Sequence, residues 1–179
     1  MKSVSNNEQS LSPGVRTQAR CFACGAEHPH GLGLRFRTDA DSRVIAEWIP
    51  TNTWEGFEGI IHGGIVSTVL DEAMSKAVAA AGIPGLTCHL EVRLRHSIAP
   101  GDLLTVRGWV IEKRRRRVRV EAEIRDSDNL ERAHGWATFL LRGHAEVVDP
   151  ILAVGAGGER GGFAGGAIRA ETSPVTGLI

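Results

Sequence analysis

A histidine followed by two glycines, His62-Gly63-Gly64, stands directly before the long helical pattern of this sequence. The first N–H groups of a helix have no partner within the helix and lie at the positive end of its dipole. Glycines at that point let a substrate approach the backbone closely. The segment can therefore polarise a carbonyl oxygen and stabilise the oxyanion that forms during acyl transfer. The same glycines could instead serve only a tight turn into the helix.

Asp71 follows nine residues after His62, on the predicted helix itself. At about 100° per residue, it falls at the margin of an apolar stripe centred on Leu70. Glu72 falls nearly opposite the stripe, where it can pair with Lys76. A carboxylate at the boundary between core and solvent can serve as general base or nucleophile, so we predict Asp71 as the catalytic carboxylate. For both acids the alternative is a solvated helix carboxylate.

The hydrophobic period changes along the chain and defines the elements that must position these residues. Ile65 to Ala81 is the one long helical pattern, and one or two strands precede it, including Arg43 to Trp48. Period-two alternation broken by turns then predicts four antiparallel strands ending at Leu141. The predicted fold class is α+β, with one helix wrapped by a curved antiparallel sheet of five to six strands. Such a sheet keeps an unprotected edge, so we expect pairing with a second chain.

Parity and turn residues fix two further details of these strands. On the first strand after the helix, alternation places Cys88 on the same face as Leu90, Val92 and Leu94. Turns are expected at Pro100-Gly101-Asp102, at Arg114 to Arg116 and at Asp126 to Asn129.

Length and composition describe one globular domain with two extensions. The 179 residues are 42% hydrophobic and 23% charged, which suffices for one core. We expect residues 1–19 to be a flexible arm, 20–142 to be the folded domain and 143–179, which are rich in glycine, to be a disordered tail.

Charge and cysteine usage exclude several classes of protein. The net charge is zero, which disfavours nucleic-acid binding. No apolar run is long enough to span a membrane, and residues 1–18 lack the apolar block of a secretion signal. An odd number of cysteines, three, favours a reducing cytoplasm over a disulfide scaffold.

The run from Gly59 to Ala73 resembles the signature of hotdog-fold acyl-CoA thioesterases of the phenylacetate-pathway type, in which an aspartate follows nine residues after the histidine of His-Gly-Gly. The runs Cys21-Phe22-Ala23-Cys24-Gly25 and Pro29 to Phe36 resemble the N-terminal strand of one branch of that family. Pro100-Gly101-Asp102 and Arg132 to Phe139 fit its later strands, so the resemblance covers residues 20–142.

This resemblance implies a homodimer, or a homotetramer built as a dimer of dimers, with active sites at the dimer interface. It implies hydrolysis of an acyl-CoA or related thioester, with no cofactor. Asp71 would act on the thioester carbonyl directly or through water, the Gly64 N–H would polarise that carbonyl, and His62 would fix the loop or bind near the thioester. Some relatives place an Asn or Gln six residues before the histidine, where this sequence has Gly56.

Other residues near this segment are expected to contact substrate. Gly63 belongs to the carbonyl-binding turn, and Ser67 and Thr68 could hydrogen-bond Asp71 or the thioester. Trp54 could line an acyl tunnel or pack against the helix.

A basic run and a cysteine pair complete the candidates. Arg115 and Arg117, within a cluster of arginines, suit the phosphates of coenzyme A, although a solvated hairpin tip has the same composition. Cys21-x2-Cys24, with histidines nearby, offers ligand types that zinc prefers. A single pair is a weak zinc motif, so we expect packing at a strand start and no metal.

Two other functions stay open. A hotdog hydratase or dehydratase would add or remove water beside the thioester carbonyl, and a non-catalytic module would only bind acyl-CoA. Release of a free thiol separates the hydrolase from both.

Overall fold

One 18-residue helix, α1 (Gly63–Ala80), lies across a six-stranded antiparallel sheet in the computed structural model, which describes residues 19–39, 41–83 and 85–141. The sheet has the order β1-β2-β6-β7-β8-β5, and two short strands pair separately before the helix. The strands are β1 (Arg37–Thr38), β2 (Val44–Trp48), β3 (Glu55–Phe57), β4 (Ile60–Ile61), β5 (Gly85–Leu94), β6 (Leu104–Arg114), β7 (Arg117–Asp126) and β8 (Glu131–Leu141). This arrangement confirms the predicted hotdog fold.

The core lies between α1 and the inner face of the sheet. Val66, Leu70, Ala73 and Ala77 are buried as the helical stripe predicts, whereas Ala81 is exposed just beyond the helix. Gly108 on β6 lets the helix approach, because a Cβ there would lie 2.6 Å from the Ala73 carbonyl oxygen. The helix and sheet therefore meet without an intervening side chain at that point.

Strand β5 is an edge strand of the sheet and contains a bulge. Thr87 lies opposite Phe139 and His89 lies opposite Thr138, so Cys88 is the extra residue. The bulge shifts the alternation by one position. Thr87, not Cys88, therefore shares the inner face with Leu90, and the parity prediction for Cys88 was wrong.

Residues 19–36 cover the side of α1 that the helical pattern left for solvent. Glu72 and Lys76 form the predicted pair, with Oε1 and Nζ 3.2 Å apart, but their side chains are only 13% and 7% exposed. Cys21 lies against Glu72, with its Sγ 3.9 Å from Oε2. The alternative of a solvated Glu72 was wrong because a distant segment of the chain packs over it.

The turns expected at Arg114 to Arg116 and at Asp126 to Asn129 connect β6 to β7 and β7 to β8. The predicted tail, and the predicted arm apart from Ala19, lie outside the described residues. Within the described ranges, no helix is both long and apolar enough to cross a membrane.

Candidate active site

His62 caps the start of α1 with its own side chain. Its Nδ1 accepts a hydrogen bond of 2.9 Å from the Gly64 N–H, and its backbone N–H donates to the Trp54 carbonyl at 2.9 Å. Its carbonyl accepts from the N–H groups of Ile65 and Val66. The helix therefore begins two residues earlier than predicted. The Gly64 N–H, which was expected to polarise a thioester carbonyl, is instead donated to the imidazole in this conformation.

Gly63 supplies the remaining N–H of the first helical turn. Among the described residues, its N–H has no hydrogen-bond partner, while those of its neighbours on both sides do. Gly63 also lines a cavity of about 440 Å³, together with His62, Val66 and Leu94. A carbonyl oxygen in this cavity can accept the Gly63 N–H at the positive end of the helix.

The histidine ring explains why position 56 carries no polar side chain. A Cβ on Gly56 would lie 2.9 Å from Cδ2 of His62 and 3.1 Å from its Cα. The first distance is below 3.0 Å, which real Cβ contacts essentially never show, so a larger residue at position 56 would force the His62 ring or its backbone to shift. The polar helper of some relatives therefore has no room here.

Asp71 is half-buried on α1 and is held by a threonine that the sequence pattern did not single out. The Thr87 hydroxyl donates to Oδ1 of Asp71 at 2.9 Å. Burial raises the pKa of the Asp71 carboxyl, the hydrogen bond from Thr87 lowers it and the charge of Glu72 raises it, with a net increase. Within the part of the chain that the structure describes, Oδ2 of Asp71 has no hydrogen-bond partner. Thr87 therefore positions Oδ1, and Oδ2 can accept a proton or contact a substrate.

Ser67 and Thr68 do not bond Asp71. Their hydroxyls donate to the carbonyls of Gly63 and Gly64 at 2.8 and 2.9 Å. They therefore satisfy the first turn of the helix and steady the backbone that carries the Gly63 N–H.

Trp54 packs rather than lining the cavity. Its ring lies 6.4 Å from that of Trp48, and its carbonyl holds the His62 backbone. Phe57 lies on the cavity wall instead, with 80% of its surface exposed.

Arg115 and Arg117 lie at the exposed hairpin between β6 and β7. Arg115 adopts a φ of 45° in the tight turn. Arg117 pairs with Leu140 on β8, next to the register position where β5 begins at Gly85. The hairpin is therefore at the end of the sheet remote from Gly63.

Gly63 and Asp71 of one chain are too far apart to act on one carbonyl group. Eight residues of α-helix span roughly 12 Å along the axis, whereas a reacting atom must lie about 3 Å from both donor and base. Asp71 also does not line the cavity that Gly63 lines. A site that uses both groups therefore needs a second chain.

Comparison with known proteins finds one matching family profile and several similar solved structures. Residues 58–133 match the profile of the Thioesterase superfamily. A solved thioesterase superfamily protein is 23% identical, with a TM-score of 0.64 over 66% of this chain and 61% of that one, so the chain spans about three fifths of that relative. A hypothetical thioesterase from Streptococcus pneumoniae TIGR4, solved with coenzyme A, is 19% identical, with a TM-score of 0.58 over 62% and 86% of the two chains.

The PaaI protein from the phenylacetic acid degradation operon of E. coli is 17% identical, with a TM-score of 0.58 over 63% of this chain and 81% of that one. No curated protein matches the sequence. At identities this low, the similarity of these structures shows a shared fold and no more.

Proposed function

We propose that this chain, whose residues 58–133 match the profile of the Thioesterase superfamily, hydrolyses acyl-CoA or a related acyl thioester to a free acid and a thiol. This proposal rests on two features together. The N–H of Gly63 at the helix start has no partner among the described residues, and Thr87 holds the Asp71 carboxylate in place. The streptococcal relative that was solved with coenzyme A supports that thiol as the leaving group.

The edge strand β5 is the surface that brings two chains together in this proposal. Leu86, Leu90 and Leu94 on β5 are 61%, 39% and 51% exposed. A long apolar edge of this kind pairs readily with another strand. Near the start of β5, Thr87 hydrogen-bonds Asp71. Near its end, Leu94 lies beside Gly63, because a Cβ on Gly63 would be 2.8 Å from Cδ1 of Leu94.

Antiparallel pairing of two β5 strands reverses the order of these two ends. A twofold axis between Leu90 and Glu91 places Leu94 of one chain opposite Thr87 of the partner subunit, about 5 Å away. Gly63 then approaches the partner subunit's Asp71, and symmetry creates two such sites. The dimer supplies the proximity that a single helix cannot.

In the proposed reaction, the thioester oxygen accepts the Gly63 N–H. The partner's Asp71 takes a proton from water as the water attacks the carbonyl carbon. Alternatively, Asp71 attacks that carbon itself, and water hydrolyses the resulting acyl anhydride after the thiolate has left. The resulting oxyanion is stabilised by the N–H and the helix dipole. Its collapse breaks the C–S bond, and the thiolate leaves and takes up a proton.

The basic hairpin supplies a phosphate-binding surface for coenzyme A in this proposal. Arg115 and Arg117 are exposed and lie near the end of the sheet beside the C-terminus of α1. From Asp71 to Ala80 the helix extends roughly 14 Å, a length that the pantetheine arm of coenzyme A can cover. Guanidinium groups suit phosphate geometry.

Thr87→Val is expected to lower kcat roughly 10- to 100-fold with little change in KM, because a hydrogen bond to a charged group contributes to the orientation of the base. Thr87→Ser restores the hydroxyl and should recover most of the activity. Steady-state kinetics on the three proteins measure this. Loss of activity in the Ser variant with activity retained in the Val variant would show that the methyl packing matters and the hydroxyl does not.

The proposed activity is tested by thiol release from short, long and aromatic acyl-CoAs. Hydrolysis of at least one class, at a rate proportional to enzyme concentration, is the expected result. Hydration of an enoyl-CoA without thiol release would instead establish a hydratase. Tight binding with neither reaction would establish a binding module.

A further inference from the structure

Two thiols and a carboxylate converge where residues 19–36 cover α1. The Sγ atoms of Cys21 and Cys24 and a carboxylate oxygen of Glu72 all lie within 4.8 Å of one another. Cys24 is 2% exposed, and Cys21 is half-buried. The proposed hydrolysis uses none of these three side chains.

The turn that carries the two cysteines is fixed by its own hydrogen bonds. Every carbonyl from Cys21 to Cys24 accepts one. The donors are, in order, Gly25 N, Leu32 N, Leu34 N and Arg35 Nη1, at 2.8, 2.8, 3.0 and 2.6 Å. A Cβ on Gly25 would lie 2.5 Å from the Ala19 carbonyl oxygen and from the Cys21 nitrogen, so the turn requires glycine there. The backbone positions of both cysteines are therefore fixed before any ligand binds.

The two oxygens of Glu72 have different partners. Oε1 lies 3.2 Å from Nζ of Lys76, and Oε2 lies 3.9 Å from Sγ of Cys21. Lys76 thus orients the carboxylate so that its second oxygen faces the thiols. An outer partner that fixes a ligand in this way is a regular feature of metal sites.

We propose that Cys21, Cys24 and Glu72 form a binding site for a thiophilic divalent cation, of which Zn²⁺ is the best match. Tetrahedral Zn²⁺, at about 2.3 Å from sulfur and about 2.0–2.2 Å from oxygen, separates neighbouring ligands by roughly 3.5–3.8 Å. The observed sulfur-to-oxygen distance of 3.9 Å needs little movement to reach that range. Water fills the fourth position beside the half-buried Cys21.

The charges of the cluster agree with a divalent cation. Binding releases the two thiol protons to solvent, and the cation then balances two thiolates while Lys76 balances Glu72. A second group of possible ligands in the described residues, Glu123, Glu131 and His134, differs in this respect. Arg125 already bonds both of its carboxylates, at 2.8 and 3.3 Å. In the cysteine cluster the cation is Lys76, which pairs with Oε1 of Glu72 and leaves Oε2 facing the thiols, and which also lies beside the Cys24 thiol. This cluster offers the softer ligands.

A bound ion would tie residues 19–36 to α1 at the position next to Asp71. The expected role is structural, since no hydrolytic step passes through the ion. Removing the ion should therefore loosen the N-terminal segment and lower the melting temperature.

The test uses Co²⁺ as a spectroscopic probe on the full-length protein, kept reduced with a phosphine. One equivalent of Co²⁺ per chain should produce a thiolate-to-cobalt charge-transfer band and tetrahedral d–d bands, and Zn²⁺ should displace it. Cys21→Ser and Glu72→Gln should each weaken Co²⁺ binding at least about tenfold. The matched control is Cys88→Ser, which removes the exposed cysteine of β5 and should bind like the parent protein.

Melting temperatures provide the second measurement and check that each variant is folded. Zn²⁺ should raise the melting temperature of the parent and of Cys88→Ser, and should raise that of Cys21→Ser less or not at all. A parent protein that shows no thiolate band at several-fold excess Co²⁺ would overturn the site. A band of unchanged affinity in folded Cys21→Ser or Glu72→Gln would also overturn it. Neither result bears on thiol release, which is assayed separately.

Discussion

Asp71→Asn is expected to reduce kcat for thiol release roughly 10²- to 10⁴-fold, the range that a positioned general base supplies. Asparagine keeps the size of the side chain, and its carbonyl can still accept the Thr87 hydroxyl, so the fold should be unchanged. What is lost is the oxygen that takes a proton from water or attacks the thioester. The measurement is kcat and KM on the best substrate of the acyl-CoA screen, with circular dichroism to verify folding.

Asp128→Asn is the matched control for this prediction. Asp128 is exposed in the turn between β7 and β8, so the same chemical change there should leave activity within about twofold of the parent. Full thiol release by a folded Asp71→Asn protein would rule out Asp71 as base or nucleophile.

Gly63→Pro is expected to reduce kcat/KM roughly 10²- to 10³-fold, as the loss of one oxyanion donor does. Gly63 is the first residue of α1, a position where proline is well tolerated. His62 has a ψ of 131°, which also suits the residue before proline. The substitution therefore removes the N–H while retaining the helix start.

Gly63→Ala distinguishes the missing N–H from crowding. Both substitutions add a Cβ that meets Cδ1 of Leu94 at 2.8 Å, but alanine keeps the N–H. Alanine should therefore retain most of the activity that proline loses. Equal losses in the two variants would mean that contact with Leu94, not the hydrogen bond, causes the defect.

The start of α1 shows what a hydrophobic pattern can and cannot predict. The pattern placed the helix from Ile65, where the apolar stripe begins, and correctly placed Asp71 at the margin of that stripe. It could not include Gly63 and Gly64, which have no side chain to contribute to a period. The imidazole of His62 caps the backbone and so moves the helix start, and with it the free N–H, to Gly63.

Thr87 and Glu72 show the limits that come from non-local structure. The bulge at Cys88 arises from the pairing of β5 with β8, and strict alternation cannot anticipate it. The burial of Glu72 depends on residues 19–36 folding back over a helix that lies far along the chain. The helical pattern gave the correct partner, Lys76, but it contained no information about what covers the pair.

The proposed two-chain site follows from the spacing of its two groups. Eight residues of helix separate Gly63 from Asp71 by roughly 12 Å, whatever the rest of the fold. The sequence could not show which surface would join the chains in this proposal. The choice of surface depends on the strand order, which makes β5 an edge strand. Thr87 and Leu94 lie near the two ends of that strand.

Complementation between Gly63→Pro and Asp71→Asn chains tests the two-chain site most directly. If the chains pair at random, half of the dimers are mixed, and each mixed dimer holds one site with both native groups and one site with neither. Co-expressed or co-refolded chains should therefore recover about one quarter of the parent activity, well above either variant alone. Mixed dimers that are isolated with two different affinity tags, yet are no more active than the separate variants, would contradict the proposed site.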